Sequence, residues 1–96
     1  MTQMQATVEH VAYRGAAGVV LEEALRLALR DRAARPRGPH EIDEAVEWVT
    51  LAAEDAGTLV DRFYAGRDVE REAIRGALIR VMAAALRAVL ETPLEQ

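Results

Sequence analysis

The sequence predicts an all-α fold, an antiparallel bundle of three long helices in a single domain that covers residues 1–96. Helix breakers divide the chain at 36–39 (PRGP) and at Gly66, and Pro93 ends the last segment. Between these breaks no segment alternates apolar and polar residues as a strand would, whereas apolar residues recur every three or four positions. Because the turns are short, neighbouring helices are expected to run antiparallel.

The first helix is predicted over residues 7–35. Its second half carries an apolar stripe, and arginines gather at its C-terminal end, where the helix dipole favours positive charge. Gly15 and Gly18 lie within it, and the sequence leaves open whether they bend one helix or separate two. The stripe comprises Val20, Leu21, Ala24, Leu27 and Ala28, and the arginines are Arg30, Arg32 and Arg35.

The second helix is predicted over residues 40–64 and has the most regular apolar periodicity of the chain. Pro39 suits the first helical position, and Gly66 suits the left-handed residue that follows a helix end. Acidic residues occupy the positions between the apolar ones, as in a helix with one solvated face. The apolar stripe includes Ile42, Val46, Val49, Ala56 and Phe63.

The third helix is predicted over residues 68–91, with Asp68 as its N-cap. Apolar residues surround most of this helix, which indicates that it is buried on more than one side. Three helices alone cover such a surface poorly, so the pattern predicts a homodimer that forms through the last helix. The predicted interface residues are Leu78, Val81, Met82, Ala85, Leu86 and Val89.

Composition and charge exclude several classes of function. Hydrophobic residues make up 51% of this 96-residue chain, more than a small monomer readily buries, which favours self-association. A net charge of -4 disfavours nucleic acid as a partner, because phosphate binding needs a basic surface. The absence of cysteine excludes thiolate chemistry. Arginines interrupt the most apolar stretch, 73–90, so no membrane span is predicted, and a cytoplasmic location is expected.

Four carboxylates are candidate metal ligands, namely Glu22, Glu23, Glu41 and Glu44. Acidic side chains that converge from two helices can hold Mg²⁺, which prefers oxygen ligands and in turn binds substrate phosphates. The alternative is structural: Glu22 and Glu23 would form a solvated face, and Glu41 and Glu44 would complement the positive end of the second helix. The sequence favours the structural interpretation.

The segments 21–28 (LEEALRLA) and 41–49 (EIDEAVEWV) resemble the all-helical MazG-like nucleoside triphosphate pyrophosphohydrolases and their phosphoribosyl-ATP pyrophosphatase relatives. That family carries Glu-Glu-x-x-Glu on one helix and Glu-x-x-Asp on the next. The resemblance implies that the four carboxylates bind Mg²⁺ for cleavage between the α- and β-phosphates. The acidic motif is degenerate, because Arg26 replaces its third acid and Glu44 its final Asp. A second register, built on Glu54 and Asp55, has Thr58 and Ala77 at acidic positions.

The remaining polar and aromatic residues are interpreted mainly as structural. Phosphate binding is one interpretation of Arg30, Arg32, Arg35 and Arg37. The favoured interpretation is structural: they lie at a helix end and in the loop after it, paired loosely with Glu41 and Asp43. His10 and His40 are predicted to lie on the surface, since no metal-binding spacing accompanies them. Trp48 lies beside the main apolar stripe and is predicted at the core edge or at a subunit interface.

The sequence therefore favours a small non-catalytic helical module for self-association or adaptor function, acting through contacts with itself or with a protein partner. It predicts no catalytic residue and no cofactor. The alternative is a MazG-like enzyme, or a degenerate nucleotide-binding relative, and only this alternative requires Mg²⁺. A third hypothesis, a nucleic-acid regulator that acts through the arginine-rich loop, is disfavoured by the net charge.

Overall fold

A computed structural model describes residues 2–92 and contains three helices in that range. They are α1 (Gln3–Ala34), α2 (Ile42–Tyr64) and α3 (Arg71–Glu91). No strand occurs among the described residues. The prediction of an all-helical fold is confirmed.

Helix α1 is continuous through Gly15 and Gly18, which answers the question that the sequence left open. It begins at Gln3, four residues before the predicted start, because a capping box closes its N-terminus. The Gln5 backbone N–H donates to Thr2 Oγ1 at 3.2 Å, and the Thr2 N–H donates to Gln5 Oε1 at 2.9 Å. The Thr-x-x-Gln spacing of residues 2–5 is the sequence signal of this cap.

Helix α2 begins at Ile42, and its N-cap is Glu41. The prediction that Pro39 occupies the first helical position is wrong, because Pro39 is buried in the connecting segment before the helix. At the other end Gly66 has φ +75°, so the predicted left-handed position is confirmed. The N–H groups of Gly66 and Arg67 donate to the carbonyls of Phe63 and Arg62, the pattern of a Schellman motif.

Helix α3 begins at Arg71 with Glu70 as its N-cap, so the prediction of Asp68 as N-cap is wrong. The Val69 N–H donates to the Arg67 carbonyl at 2.8 Å, which places Asp68 at the centre of a tight turn. The backbone is extended at Glu70, whose carbonyl accepts the first hydrogen bonds of the helix from the N–H groups of Ala73 and Ile74.

Helix α3 is the centre of the protomer. It packs against both other helices, whereas α1 and α2 have no pair of described Cα atoms within 8 Å of each other. The chain is therefore a flat arrangement of 47 × 40 × 22 Å. Its radius of gyration is 16.5 Å, whereas a compact domain of this length has about 12.5 Å.

The core of the protomer is thin and consists mostly of alanine. No large side chain among residues 2–92 is fully buried. Small side chains let helices approach closely, but they bury little apolar area each. The buried apolar residues, apart from Pro39, are Ala24, Ala28, Ala45, Ala56, Ala77, Ile79, Ala83 and Ala88.

Candidate interaction surface

The six residues predicted as an interface on α3 differ in exposure. Leu78 is 53% exposed and Val89 is 74% exposed, while Val81, Met82, Ala85 and Leu86 are half-buried. Leu78, Met82, Ala85 and Val89 follow one another at intervals of four, three and four residues, so they lie on one side of the helix. We call these four residues the α3 stripe.

Two apolar grooves flank the α3 stripe. Leu78 lines a groove of about 320 Å³ between α2 and α3, together with Val60, Phe63 and Tyr64. Met82 lines a second groove of about 380 Å³ against α1, whose lining includes Val20 and Leu21. The stripe and the two grooves together form an apolar surface that extends over all three helices.

The total exposed area of the protomer is unusually large. It amounts to 7735 Å², whereas a folded monomer of this mass exposes about 5,500 Å². The difference of about 2,200 Å² exceeds the roughly 800 Å² that each partner buries in a standard protein–protein interface. The chain therefore exposes more total surface than a compact monomer of its mass.

A further groove on α3 is charged, and Arg75 lines both this groove and the one beside Leu78. This groove of about 480 Å³ runs between α1 and α3, with arginines on both walls. Arg80 lines it and lies about 180° around the helix from Val89 of the α3 stripe. Arg75 also lines it and pairs with Glu23 at 3.3 Å. The remaining lining residues are Arg26, Leu27, Arg30, Glu72, Gly76 and Ile79.

The four candidate metal ligands lie apart from one another. Glu22 and Glu23 are on α1, while Glu41 and Glu44 are at the start of α2, and these helices do not touch. Glu22 and Glu41 are exposed. Glu23 pairs with Arg75, and Glu44 accepts a hydrogen bond from the His40 N–H at 2.8 Å. Within residues 2–92 no group of three or more His, Asp or Glu side chains could hold a metal ion.

Arg87 is a structural residue that the sequence analysis missed. Its side chain is 8% exposed and donates to the backbone carbonyls of Arg35 and Arg37 and to the Glu91 carboxylate. Its guanidinium also lies 4.9 Å from the centre of the Trp48 ring. Arg87 thus ties the end of α3 to the connecting segment and to α2. The signal in the sequence was an arginine within an apolar run, with Glu91 four residues later.

The arginines around the first loop have structural contacts. Arg32 pairs with Glu91 at 3.2 Å, so Glu91 joins α1 to the group around Arg87. Arg37 Nη2 lies 2.6 Å from His40 Nε2. His10 and His40 are exposed, as predicted, and Trp48 is half-buried under Arg87 at the contact between α2 and α3.

Comparison of this chain with protein-family models, with curated proteins and with solved structures finds no match. The resemblance to MazG-like pyrophosphohydrolases thus stays a prediction from two short segments. Among residues 2–92, no helix has both the length and the apolar character needed to cross a membrane.

Proposed function

We propose that this protein is a small non-catalytic module that associates with itself through the α3 stripe and the two grooves beside it. The observation that carries the proposal is the exposed area, about 2,200 Å² above that of a compact monomer. A two-fold axis would bring the same apolar surface of two copies together, so that one patch serves both protomers. The predicted cytoplasmic location and a protein partner that recognises the assembled module are parts of this proposal.

The proposal includes an antiparallel arrangement of α2 and α3. It is supported by contacts at both ends of this helix pair. Arg87, near the end of α3, lies over Trp48, near the start of α2. At the opposite end, the Arg71 guanidinium lies 5.1 Å from the centre of the Phe63 ring. An alternating order of helix directions then leaves α1 and α3 pointing the same way.

Leu78→Glu tests the proposal, because it places a charge at the centre of the α3 stripe. We expect the dissociation constant of the assembly to rise by about 30-fold or more, the effect of losing a central apolar contact. The readout is molar mass by light scattering over a range of protein concentrations.

Leu51→Glu is the matched control. Leu51 is also a leucine with 53% exposure, but it is surrounded on α2 by Glu47, Glu54 and Asp55, one turn away on either side. We expect its mass profile to equal that of the wild type. A wild-type protein that is monomeric throughout, or equal effects of the two variants, would overturn the proposal.

The alternative, a Mg²⁺-dependent nucleoside triphosphate pyrophosphohydrolase, stays a prediction. It needs several carboxylates around one cation, and the described residues of one protomer form no such group. We therefore rank it below self-association.

A further inference from the structure

Helix α1 has a second apolar face, on the side away from α3. Its residues follow one another at intervals of four and three, the spacing of a helix–helix seam. This face lies roughly 180° around α1 from Ala24, which is buried against α3. Its members, which we call the α1 stripe, are Met4, Val8, Val11, Gly15, Gly18, Leu25 and Leu29, with Glu22 as its one charged position.

The first half of α1 extends away from the rest of the protomer. Every side chain from residue 3 to residue 16 is exposed, and Met4, Val8 and Val11 are each at least 62% exposed. A lone helical segment of this length is marginal in water, because helices in proteins gain most of their stability from packing. The rest of the described chain approaches it only near its end, where Tyr13 and Ala16 line the groove beside Met82.

The two glycines of the α1 stripe are unexplained within the protomer. Glycine disfavours a helix interior, yet α1 is continuous through both positions. A Cβ atom at Gly15 or Gly18 would meet no described atom within 4 Å, so no contact inside the protomer requires glycine there. Gly57 and Gly76 have the same open space, so the space alone does not indicate a partner, but glycine at positions 15 and 18 would permit the close approach of a second helix from outside.

We propose that the α1 stripe packs against the same stripe of a second copy, with the two helices antiparallel and crossing at Gly15 and Gly18. A two-fold axis between the glycines places Met4 opposite Leu29 and Val8 opposite Leu25. It also brings Glu22 of one copy within about 5 Å, along the helix axis, of the level of Arg14 of the other. The same axis sets Glu22 opposite Val11, so the charge complementarity of the pairing depends on Glu22 and Arg14 at the edge of the stripe.

The exposed area fits two interfaces better than one. The difference of about 2,200 Å² is more than twice what one partner contributes to a standard interface. The inference rests on the proposed function for the first interface, through the α3 stripe, and adds a second one. Two distinct two-fold interfaces on each protomer give a closed assembly of four copies when their axes intersect at right angles, and this is the arrangement that we propose.

Charged substitutions at the glycines test the second interface without harming α1. Gly15→Glu with Gly18→Glu introduces good helix formers at positions with open space, and the two-fold axis sets the new carboxylates against each other. The control is Ala6→Glu with His10→Glu, which makes the same charge change on the opposite side of the same helical half. Molar mass by light scattering and helix content by circular dichroism are measured for each variant.

We expect four copies in the wild type and in the control, two copies in the glycine variant, two in Leu78→Glu, and one when both changes are combined. A glycine variant that keeps the wild-type mass overturns the α1 interface. If the wild type has two copies and only Leu78→Glu separates them, the α1 interface is also overturned, while the proposed function stands. A dimer that only the glycine variant separates supports the α1 interface and overturns the proposed function.

A charge exchange keeps the inference testable if the glycine variant loses its helices. We expect Glu22→Arg or Arg14→Glu alone to weaken the association by about tenfold, because each sets like charges across the axis. The double variant should return to within about threefold of the wild type, since it restores opposite charges. Additive losses in the double variant would overturn the antiparallel pairing.

Discussion

Arg87 shows how a single buried charge can organise a small helical protein. Its planar guanidinium serves two backbone carbonyls, one carboxylate and one aromatic face at the same time. The carbonyls belong to the segment between α1 and α2, which has no regular secondary structure. The side chain therefore replaces the apolar packing that a core of alanines does not supply.

Removal of this side chain should destabilise the fold strongly. For Arg87→Ala we expect the free energy of unfolding to fall by about 3 kcal/mol or more, because Glu91 and two carbonyls lose their partner. The free energy of unfolding of Arg87→Lys should lie between those of Arg87→Ala and the wild type, since a lysine keeps the charge without the forked donors of the guanidinium. Urea unfolding at fixed protein concentration measures both.

Arg80→Ala, in the same helix, is the control for Arg87. Its side chain is exposed, so the expected change is within about 0.5 kcal/mol. Similar losses for Arg80→Ala and Arg87→Ala would contradict the role given to Arg87.

At the scale of the elements, the helix ends depend on backbone conformation and local hydrogen bonds. The Schellman motif at the end of α2 needs a residue with positive φ, and Gly66 provides it. The starts of α2 and α3 lack a side-chain cap hydrogen bond. The positions of these two starts depend on the turns that precede them. For this reason Pro39 and Asp68 did not mark the helix starts that the sequence predicted.

Two Gly→Ala substitutions should have opposite effects on stability. Gly66→Ala should lower the free energy of unfolding by about 1 kcal/mol, because φ +75° is strained for a residue with a Cβ atom. Gly76→Ala, inside α3, should raise it by about 0.5–1 kcal/mol, because a helix favours alanine and a Cβ there meets no described atom within 4 Å. Thermal melts of both variants measure the effects, and equal signs would contradict the explanation.

At the scale of the whole molecule, the proposed association would couple folding to assembly. A flat chain with an alanine core and two exposed apolar faces would then gain part of its stability from other copies. Its stability should therefore depend on protein concentration, in contrast to that of a monomeric bundle.

The melting temperature should fall on dilution. If the native dimer unfolds to separate chains, tenfold dilution lowers the stability by about 0.7 kcal/mol per protomer, or roughly 3–5 °C in a domain of this size. Calorimetry or circular dichroism at several concentrations gives the slope. A melting temperature that does not change over a hundredfold dilution would show that the protomer is stable by itself.

The sequence alone determined the fold class and the positions of the helices along the chain. Apolar spacing of three and four residues is a local property of the sequence. Glycine and proline also act locally, because each can end a helix through its own backbone geometry. The left-handed Gly66 was predictable for the same reason. The exposure of His10 and His40 was also predicted from the local pattern.

Only the tertiary structure decided which helices touch. Periodicity shows that a helix has an apolar face but not which partner covers it. The sequence predicted that α3 is buried on more than one side, but not that α1 and α2 cover it without approaching each other. The same limit explains why Arg87 was missed, since its partners lie about 50 residues away in the chain. Helix α1 likewise has apolar residues on two faces, and only the tertiary structure shows that one of them is covered within the protomer.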